Sequence, residues 1–232
     1  MNLFSLFTAS VNNSTGRYLS DGKQITVERF FPLGAGPFPA VVALHGSGGL
    51  HGFAEEPARL LAARGFAVFV PHYFERTGTS WADERNIRKN FPLWMKTISD
   101  TVTYVGQQKH VDASRVALLG FSLGGYLSLS VATQDPRVRA VVEYFGGLPE
   151  ELTNFKQMPP TLILHGDADN IVPVSEALNL EKLFQRTGTP YEIKIYPGAG
   201  HVFTAPLMLD AGTRTLRFLQ QHLQSKHARQ AS

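Results

Sequence analysis

Residues 116–127 read VALLGFSLGGYL: an apolar run breaks at Gly120, presents a single serine at position 122, and resumes with small and apolar residues. A short continuous apolar run is typical of a buried strand, and the leucine, valine and alanine that follow over 123–133 suit a buried helix. This stretch therefore predicts a strand, a sharp turn and a helix, with Ser122 at the turn.

Ser122 has one glycine two residues before it and another two residues after it, Gly120 and Gly124. This Gly-x-Ser-x-Gly spacing is that of a nucleophile elbow, in which a strained turn exposes the serine hydroxyl. A Cβ at either glycine would collide with the neighbouring strand or helix as the chain doubles back. The alternative is a glycine-rich turn in which the serine has no catalytic role. Residues in the other loops distinguish these two interpretations.

Length and composition restrict the class of protein. The chain has 232 residues, of which 43% are hydrophobic and 18% charged, and its formal net charge is +3. These values suit one globular domain with a substantial core. Cysteine is absent, which excludes disulfides and thiolate metal sites. The sequence contains no recognisable signal peptide or membrane span, so we expect a cytoplasmic protein that does not bind membranes. We also expect no binding of nucleic acid. Whether the protein is a monomer or a homodimer stays open.

Strand and helix patterns alternate along nearly the whole chain. Strands are predicted over 25–31, 40–44, 66–71, 116–121, 138–145, 159–164 and 191–196, and helices over 55–64, 92–109, 123–133, 175–186 and 210–225. Such alternation predicts an α/β fold with a mostly parallel, doubly wound sheet and helices on both faces. We expect residues 1–24 to be an N-terminal extension or an edge hairpin, residues 25–225 to be a single domain, and residues 226–232 to be a flexible C-terminal tail.

Polar loops follow the predicted strands, and in such sheets ligands bind at the carboxyl edge. The loop after the strand at 159–164 contains Asp167 and Asp169, and the loop after the next strand contains His201. The chain order of serine, aspartate and histidine is that of α/β-hydrolases. In that arrangement the imidazole removes the proton of Ser122, and the carboxylate fixes the tautomer of the imidazole.

Two backbone segments are candidates for an oxyanion hole. The N–H of Leu123 stands at the start of the helix that follows the serine, where a developing negative charge is favoured. A second glycine-rich loop, HGSGG at 45–49, lacks the spacing of dinucleotide-binding loops and of P-loops, so nucleotide binding is not indicated. Its backbone around Gly46 and Ser47 is similar to the oxyanion loops of lipases and esterases. A simple tight turn is the alternative.

Three motif blocks resemble the dienelactone hydrolase family of the α/β-hydrolase superfamily: GFSLGG at 120–125, GDADNIVP at 166–173 and GHVF at 200–203. The resemblance covers roughly residues 25–220 and implies the α/β-hydrolase fold with no metal and no organic cofactor. Its spacing places the catalytic acid at Asp169 and leaves Asp167 to cap the loop. It also implies that Arg76 contacts a carboxylate on the substrate. The alternative is that Arg76 is part of a solvated, charged loop.

The chain departs from that family at several positions. The family's nucleophile is cysteine where this chain has Ser122, its acidic residue near the oxyanion loop is missing around His45, and its second arginine corresponds to Ala205. About a dozen residues, 146–158, separate two predicted strands where larger α/β-hydrolases insert a lid, so we expect no lid domain. These features favour small esters or lactones over dienelactone itself.

We therefore interpret the chain as a serine hydrolase with Ser122 as nucleophile, His201 as base and Asp169 as acid. The N–H groups of Leu123 and Ser47 are the expected oxyanion hole, and the expected partner is a small ester or lactone cleaved through an acyl-enzyme intermediate. The alternatives are a thioesterase or short-peptide hydrolase that uses the same residues, and a hydrolase-fold binding protein without turnover.

Overall fold

The computed structural model describes residues 11–50 and 55–224. Within them, eight strands form one sheet: β1 (Val11–Ser20), β2 (Lys23–Pro32), β3 (Phe38–Leu44), β4 (Ala67–Pro71), β5 (Val111–Phe121), β6 (Val138–Tyr144), β7 (Thr161–Gly166) and β8 (Tyr191–Tyr196). Their order across the sheet is β1-β2-β4-β3-β5-β6-β7-β8. Strand β2 runs antiparallel to its neighbours β1 and β4, and every other pair of adjacent strands is parallel.

Five α-helices in the same ranges cover the sheet: α1 (Glu55–Ala63), α2 (Glu84–Gly106), α3 (Leu123–Ala132), α4 (Ser175–Thr187) and α5 (Ala205–Leu223). Helices α2, α3 and α4 pack on one face, and α1 and α5 pack on the other. Both faces of the central strands are therefore apolar: in β3, Val42 contacts the first cluster of buried residues and Val41 the second. The prediction of a mostly parallel, doubly wound sheet is confirmed.

The parallel register brings the carboxyl ends of the central strands to one edge of the sheet. The residue pairs at this edge are Leu44 with Gly120, Phe121 with Tyr144, Tyr144 with Leu164, and Gly166 with Tyr196. Because these strand ends are aligned, the segments that follow β3, β5, β6, β7 and β8 leave the sheet side by side. The loops that sequence analysis selected are thereby collected at one place.

Two predicted helix starts were wrong. Helix α2 begins at Glu84, and Pro92, the predicted first residue, lies inside it. The side chain of Asp83 accepts the backbone N–H of Asn86 at 2.7 Å and so caps the earlier turn. Helix α5 begins at Ala205 rather than at residue 210, with a proline in its first turn, where the missing N–H costs no helical hydrogen bond.

Strands β1 and β2 form an antiparallel hairpin at the edge of the sheet, over residues 11–32. Residues 1–10 and the predicted tail, 226–232, lie outside the described residues. The division of the chain into extension, domain and tail therefore stays a prediction. Among the helices of the described ranges, none combines the length and the apolar character that crossing a membrane requires.

Candidate active site

Ser122 lies in the turn between β5 and α3, with φ 53° and ψ −117°. A positive φ is uncommon for a residue with a side chain and stores conformational strain. The flanking glycines allow the turn: a Cβ on Gly120 would lie 2.0 Å from the carbonyl oxygen of Gly124, and a Cβ on Gly124 would lie 2.4 Å from that of Leu44. The predicted order of strand, sharp turn and helix is present, and close backbone approach excludes a side chain at either glycine.

Three side chains form a hydrogen-bonded relay at this turn. His201 Nε2 lies 3.0 Å from Ser122 Oγ, and His201 Nδ1 lies 2.7 Å from Asp169 Oδ2. The side chain of Asp169 is fully buried, whereas that of His201 is 13% exposed. This geometry allows a proton to move from the hydroxyl to the imidazole while a carboxylate faces the other ring nitrogen.

The loop after β7 holds Asp169 in its ionised form. Its second oxygen, Oδ1, accepts the backbone N–H groups of Ile171 at 2.8 Å and Val172 at 2.9 Å. Burial opposes ionisation, but the hydrogen bond with His201 and the two backbone bonds outweigh it and lower the pKa of the Asp169 carboxyl below its usual value. The buried His165 fastens the same loop, because its Nε2 donates to the carbonyl of Val172 at 2.9 Å.

Asp167, the other aspartate of this loop, has a different partner. Its exposed carboxylate accepts the backbone N–H of Gly198 at 2.6 Å. That hydrogen bond ties the loop after β7 to the loop that carries His201. The structure thus brings Asp169 to His201 and leaves Asp167 as a link between two loops.

Both predicted oxyanion donors belong to segments that border Ser122. A Cβ on Gly46 would lie 3.4 Å from Ser122 Cβ and 4.0 Å from its Oγ, so this backbone lies against the serine. The next residue, Ser47, is held through its carbonyl, which accepts the N–H of Ala82 at 2.8 Å. Leu123 is the first residue of α3, where the N–H groups have no acceptor within the helix.

The turn after β6 supports the site, and sequence analysis did not identify it. Phe145 has φ 44°, and its ring centroid lies 4.8 Å from that of His201. The fully buried Glu143 accepts the backbone N–H of Gly146 through Oε2 at 2.7 Å. A lone acid in the apolar run VVEYF at 141–145 was an available signal for Glu143, but nothing in the sequence indicates the positive φ of Phe145.

Burial raises the pKa of Glu143 to about 8, against the opposing effect of the Gly146 bond, and the Glu176 carboxylate adds to the rise. Between pH 4.5 and about 8, the Glu143 carboxyl therefore keeps its proton in the folded protein but has lost it in the unfolded chain. Because the folded state binds more protons in that window, the unfolding free energy falls as pH rises, by about 1.4 kcal/mol per pH unit from this group.

We expect Glu143→Gln, which stays neutral at every pH, to lack this dependence. The measurement is denaturant unfolding of both proteins at several pH values across the window, analysed as the difference between them so that other titrating groups cancel. The stability of the variant should rise relative to the parent as pH increases. A difference that stays constant with pH would show that Glu143 does not carry the proton.

Arg76, the predicted anchor of a substrate carboxylate, has hydrogen-bond partners within the protein. Its Nη2 donates to the carboxylate of Asp21 at 2.9 Å, and its Nη1 donates to the carbonyl of Ser20 at 3.2 Å. Both acceptors lie at the turn between β1 and β2, and the side chain of Arg76 is only 12% exposed. The chain after β4 enters a 3₁₀ turn, Tyr73–Arg76, and from there the guanidinium reaches the hairpin.

Arg76→Ala is accordingly expected to lower the unfolding free energy by about 1 kcal/mol, since Asp21 is half exposed and the ion pair is partly screened. KM for esters that carry a carboxylate should stay within about twofold, because no substrate hydrogen bond is lost. Arg88→Ala is the matched control, since that arginine is 78% exposed and pairs with Glu84 on the same helix. Unchanged stability together with a large rise in KM for esters that carry a carboxylate would show that Arg76 binds the substrate.

Comparison with known proteins identifies relatives of the chain. The model of the dienelactone hydrolase family matches residues 27–220. A carboxymethylenebutenolidase homolog from Mus musculus is 26% identical in an alignment of 156 residues that covers 63% of this chain and 62% of the relative. Both findings concern the sequence and span the elbow at Ser122.

Solved structures share the fold. A dienelactone hydrolase-like promiscuous phosphotriesterase from metagenomic libraries matches with a TM-score of 0.81 at 20% identity, covering 92% of this chain and 99% of that one. A puromycin-hydrolyzing peptidase from Mycobacterium tuberculosis matches with a TM-score of 0.80 at 19% identity, covering 97% of this chain and 41% of that one. At these identities the matches establish the fold, and the predicted α/β-hydrolase fold is confirmed.

The family match covers most of the chain, including all three motif blocks that indicated the resemblance. That resemblance is therefore confirmed. The chain belongs to the dienelactone hydrolase family, a family of ester and lactone hydrolases.

Proposed function

We propose that the chain hydrolyses small ester or lactone bonds through a serine nucleophile and an acyl-enzyme intermediate. The observation that carries the proposal is the relay from Ser122 through His201 to Asp169, with distances of 3.0 and 2.7 Å. Family membership supports hydrolysis in general, and the relay supports Ser122 as the attacking group.

In the acylation step, Ser122 Oγ attacks the carbonyl carbon and its proton passes to His201 Nε2. The imidazole then carries a positive charge, which the ionised carboxylate of Asp169 stabilises. The carbonyl oxygen becomes an oxyanion, for which the backbone N–H groups of Leu123 and Ser47 are the proposed donors. When the tetrahedral intermediate collapses, the bond to the alcohol oxygen breaks and His201 protonates that oxygen.

In the deacylation step, a water molecule adds to the acyl carbon while His201 takes one of its protons. The bond to Ser122 Oγ then breaks, and the same proton returns to the serine. The products are one acid and one alcohol, and every atom in them comes from the ester and one water. With a lactone, the alcohol stays attached to the acyl chain and the product is a single hydroxy acid.

The connection between β6 and β7 supports small substrates. Residues 145–160 contain one short 3₁₀ turn, Glu150–Leu152, and no inserted domain. A connection without an inserted domain suits small molecules in solution better than long lipid chains, which need an enclosed apolar channel. A small-molecule ester or lactone is therefore the proposed partner, and the cytoplasmic location stays a prediction.

Two alternatives use the same fold. A thioesterase or short-peptide hydrolase would employ the same relay, and the peptidase neighbour shares only the fold with this chain at 19% identity. A binding protein without turnover would not require His201 to lie between a serine and a buried carboxylate. The intact relay therefore favours an enzyme over a binding protein.

The test combines hydrolysis of p-nitrophenyl acetate with covalent labelling by a fluorophosphonate probe and peptide mass spectrometry. We expect one probe per chain, attached to Ser122, and loss of hydrolysis in proportion to labelling. Absence of both reactions would favour a binding protein. Faster cleavage of a matched thioester or a short peptide than of the oxygen ester would favour one of the other hydrolase activities.

A further inference from the structure

Three loops that carry or hold the proposed catalytic groups each expose a large apolar side chain. Trp81 is 60% exposed, Ile171 68% and Val202 78%. We call these three side chains the apolar rim. Each stands on a segment at the carboxyl edge of the sheet, where the loops that follow the parallel strands lie side by side.

Each residue of the apolar rim lies within two residues, along the chain, of a residue that belongs to the site or bonds to it. The N–H of Ile171 donates to Asp169 Oδ1 at 2.8 Å, and Val202 follows His201 directly in the chain. The neighbour of Trp81, Ala82, donates its N–H to the carbonyl of Ser47 at 2.8 Å. Single exposed apolar side chains are ordinary on protein surfaces, but here one occurs beside the acid, one beside the base and one beside the oxyanion segment.

The charge of the surrounding segments restricts which substrate groups can bind beside the apolar rim. The segments that border the relay contain no lysine and no arginine: 45–50, 121–126, 145–149, 166–174 and 197–204. On the segment after β4, 72–83, the one cation in the sequence is Arg76, and it is engaged with Asp21.

Carboxylates, in contrast, are present around the relay. Asp167 is exposed on the loop that carries Asp169. The carboxylate of Glu176 borders the turn after β6, since a Cβ on Gly147 would lie 2.6 Å from its Oε2. Within the described segments named above, a substrate carboxylate would meet these like charges, and no lysine or unengaged arginine would offset its loss of hydration.

We propose that the site takes neutral esters with an apolar acyl or alcohol group and discriminates against esters that carry a carboxylate. The proposal rests on the serine-hydrolase function and specifies its substrate class. The apolar rim would lose contact with water when such a group covers it, which favours binding in proportion to the apolar area buried. The carboxylates around the site would repel a competing anionic substrate. Selectivity would therefore combine apolar attraction of the neutral ester with electrostatic repulsion of the anionic one.

The experiment compares three p-nitrophenyl esters on the unmodified full chain: the acetate, the valerate and the monoester of glutaric acid. Valerate and glutarate have the same number of carbons and differ by a terminal methyl against a terminal carboxylate. After subtraction of spontaneous hydrolysis, kcat/KM for valerate should exceed that for glutarate by at least about tenfold. It should exceed that for acetate by about tenfold, as expected for methylenes that are partly buried.

Substitutions in the apolar rim test whether these side chains cause the preference for valerate over acetate. Trp81→Ser, Ile171→Ser and Val202→Ser should each shrink the ratio of the valerate rate to the acetate rate by about threefold or more. Leu33→Ser is the matched control, because Leu33 is 59% exposed between β2 and β3 and should leave both rates unchanged. Circular dichroism and size-exclusion chromatography check that each variant keeps its fold and oligomeric state.

The outcomes separate the two proposals. Absence of hydrolysis of all three esters above the rate of Ser122→Ala would refute the serine-hydrolase function itself. Hydrolysis with glutarate cleaved as fast as valerate would overturn the substrate class while leaving the function intact. Rim variants that change the oligomeric state but not the ratio of rates would show that another copy of the chain, rather than substrate, covers the apolar rim.

Discussion

Ser122→Ala is expected to lower kcat at least about a thousandfold, because the change removes the only atom that forms the acyl-enzyme bond. Alanine keeps the Cβ, so the backbone at φ 53° is not altered and the fold should persist. The remaining rate would come from the oxyanion donors and from substrate binding alone. Single-turnover and steady-state hydrolysis of p-nitrophenyl acetate measure the loss.

Ser122→Gly provides a comparison that separates activity from strain. It should be as inactive as Ser122→Ala, but more stable by about 1 kcal/mol, since glycine adopts a positive φ without a Cβ penalty. Denaturant unfolding of both variants measures this difference. Ester hydrolysis near the parent rate by either variant would exclude Ser122 as the nucleophile.

Asp169→Asn is expected to lower kcat about ten-thousandfold. The asparagine oxygen can still accept the N–H groups of Ile171 and Val172, which now hold Oδ1 at 2.8 and 2.9 Å. Its NH₂ group would then face His201 Nδ1, now 2.7 Å from Oδ2, and would make that nitrogen an acceptor. His201 Nε2 would carry the proton and could not accept one from the serine.

Asp167→Asn is the matched control for this change. The two aspartates share one loop, but Asp167 is exposed and its hydrogen bond accepts the N–H of Gly198, which an amide oxygen can also accept. We expect its kcat to stay within about tenfold of the parent, as for a surface substitution that keeps its hydrogen bond. A larger loss for Asp167→Asn than for Asp169→Asn would identify Asp167 as the acid.

The elbow and the loops that lie beside it could be predicted because their signals are local. Gly120 and Gly124 are needed for contacts between residues within the turn and with the adjacent strand, so the spacing around Ser122 alone indicated the conformation. The common edge at which His201 and the two aspartates of the loop after β7 lie followed from their place after strands, since parallel strands end at a common edge. The choice of Asp169 as the acid followed from the resemblance to the family. The start of α2 at Glu84 was missed because a cap depends on the side chain that satisfies the first turn, here that of Asp83, and several residues could have done so. At the start of α5, Ala205, no side chain caps the first turn, so a capping contact could not have indicated that start.

The partner of Arg76 and the pKa of Glu143 could not be predicted from the residues near them in the sequence. The partner of Arg76, Asp21, lies 55 residues away in the chain, and an arginine on a polar loop has the same local sequence whether it binds a substrate or a hairpin. Glu143 was visible as an acid within an apolar run. Its raised pKa, however, follows from the helices and strands that exclude water from it.

The sequence by itself determined the α/β fold and the elbow, because periodicity and glycine spacing are properties of neighbouring residues. Its motif blocks and the chain order of serine, aspartate and histidine also gave the resemblance that implies the α/β-hydrolase fold. Only the tertiary structure decided the partners of Phe145 and Arg76. It packed the strained Phe145 on the imidazole of His201 and engaged Arg76 at the hairpin. Those choices depend on distances between residues far apart in the chain, which packing fixes and no local pattern contains.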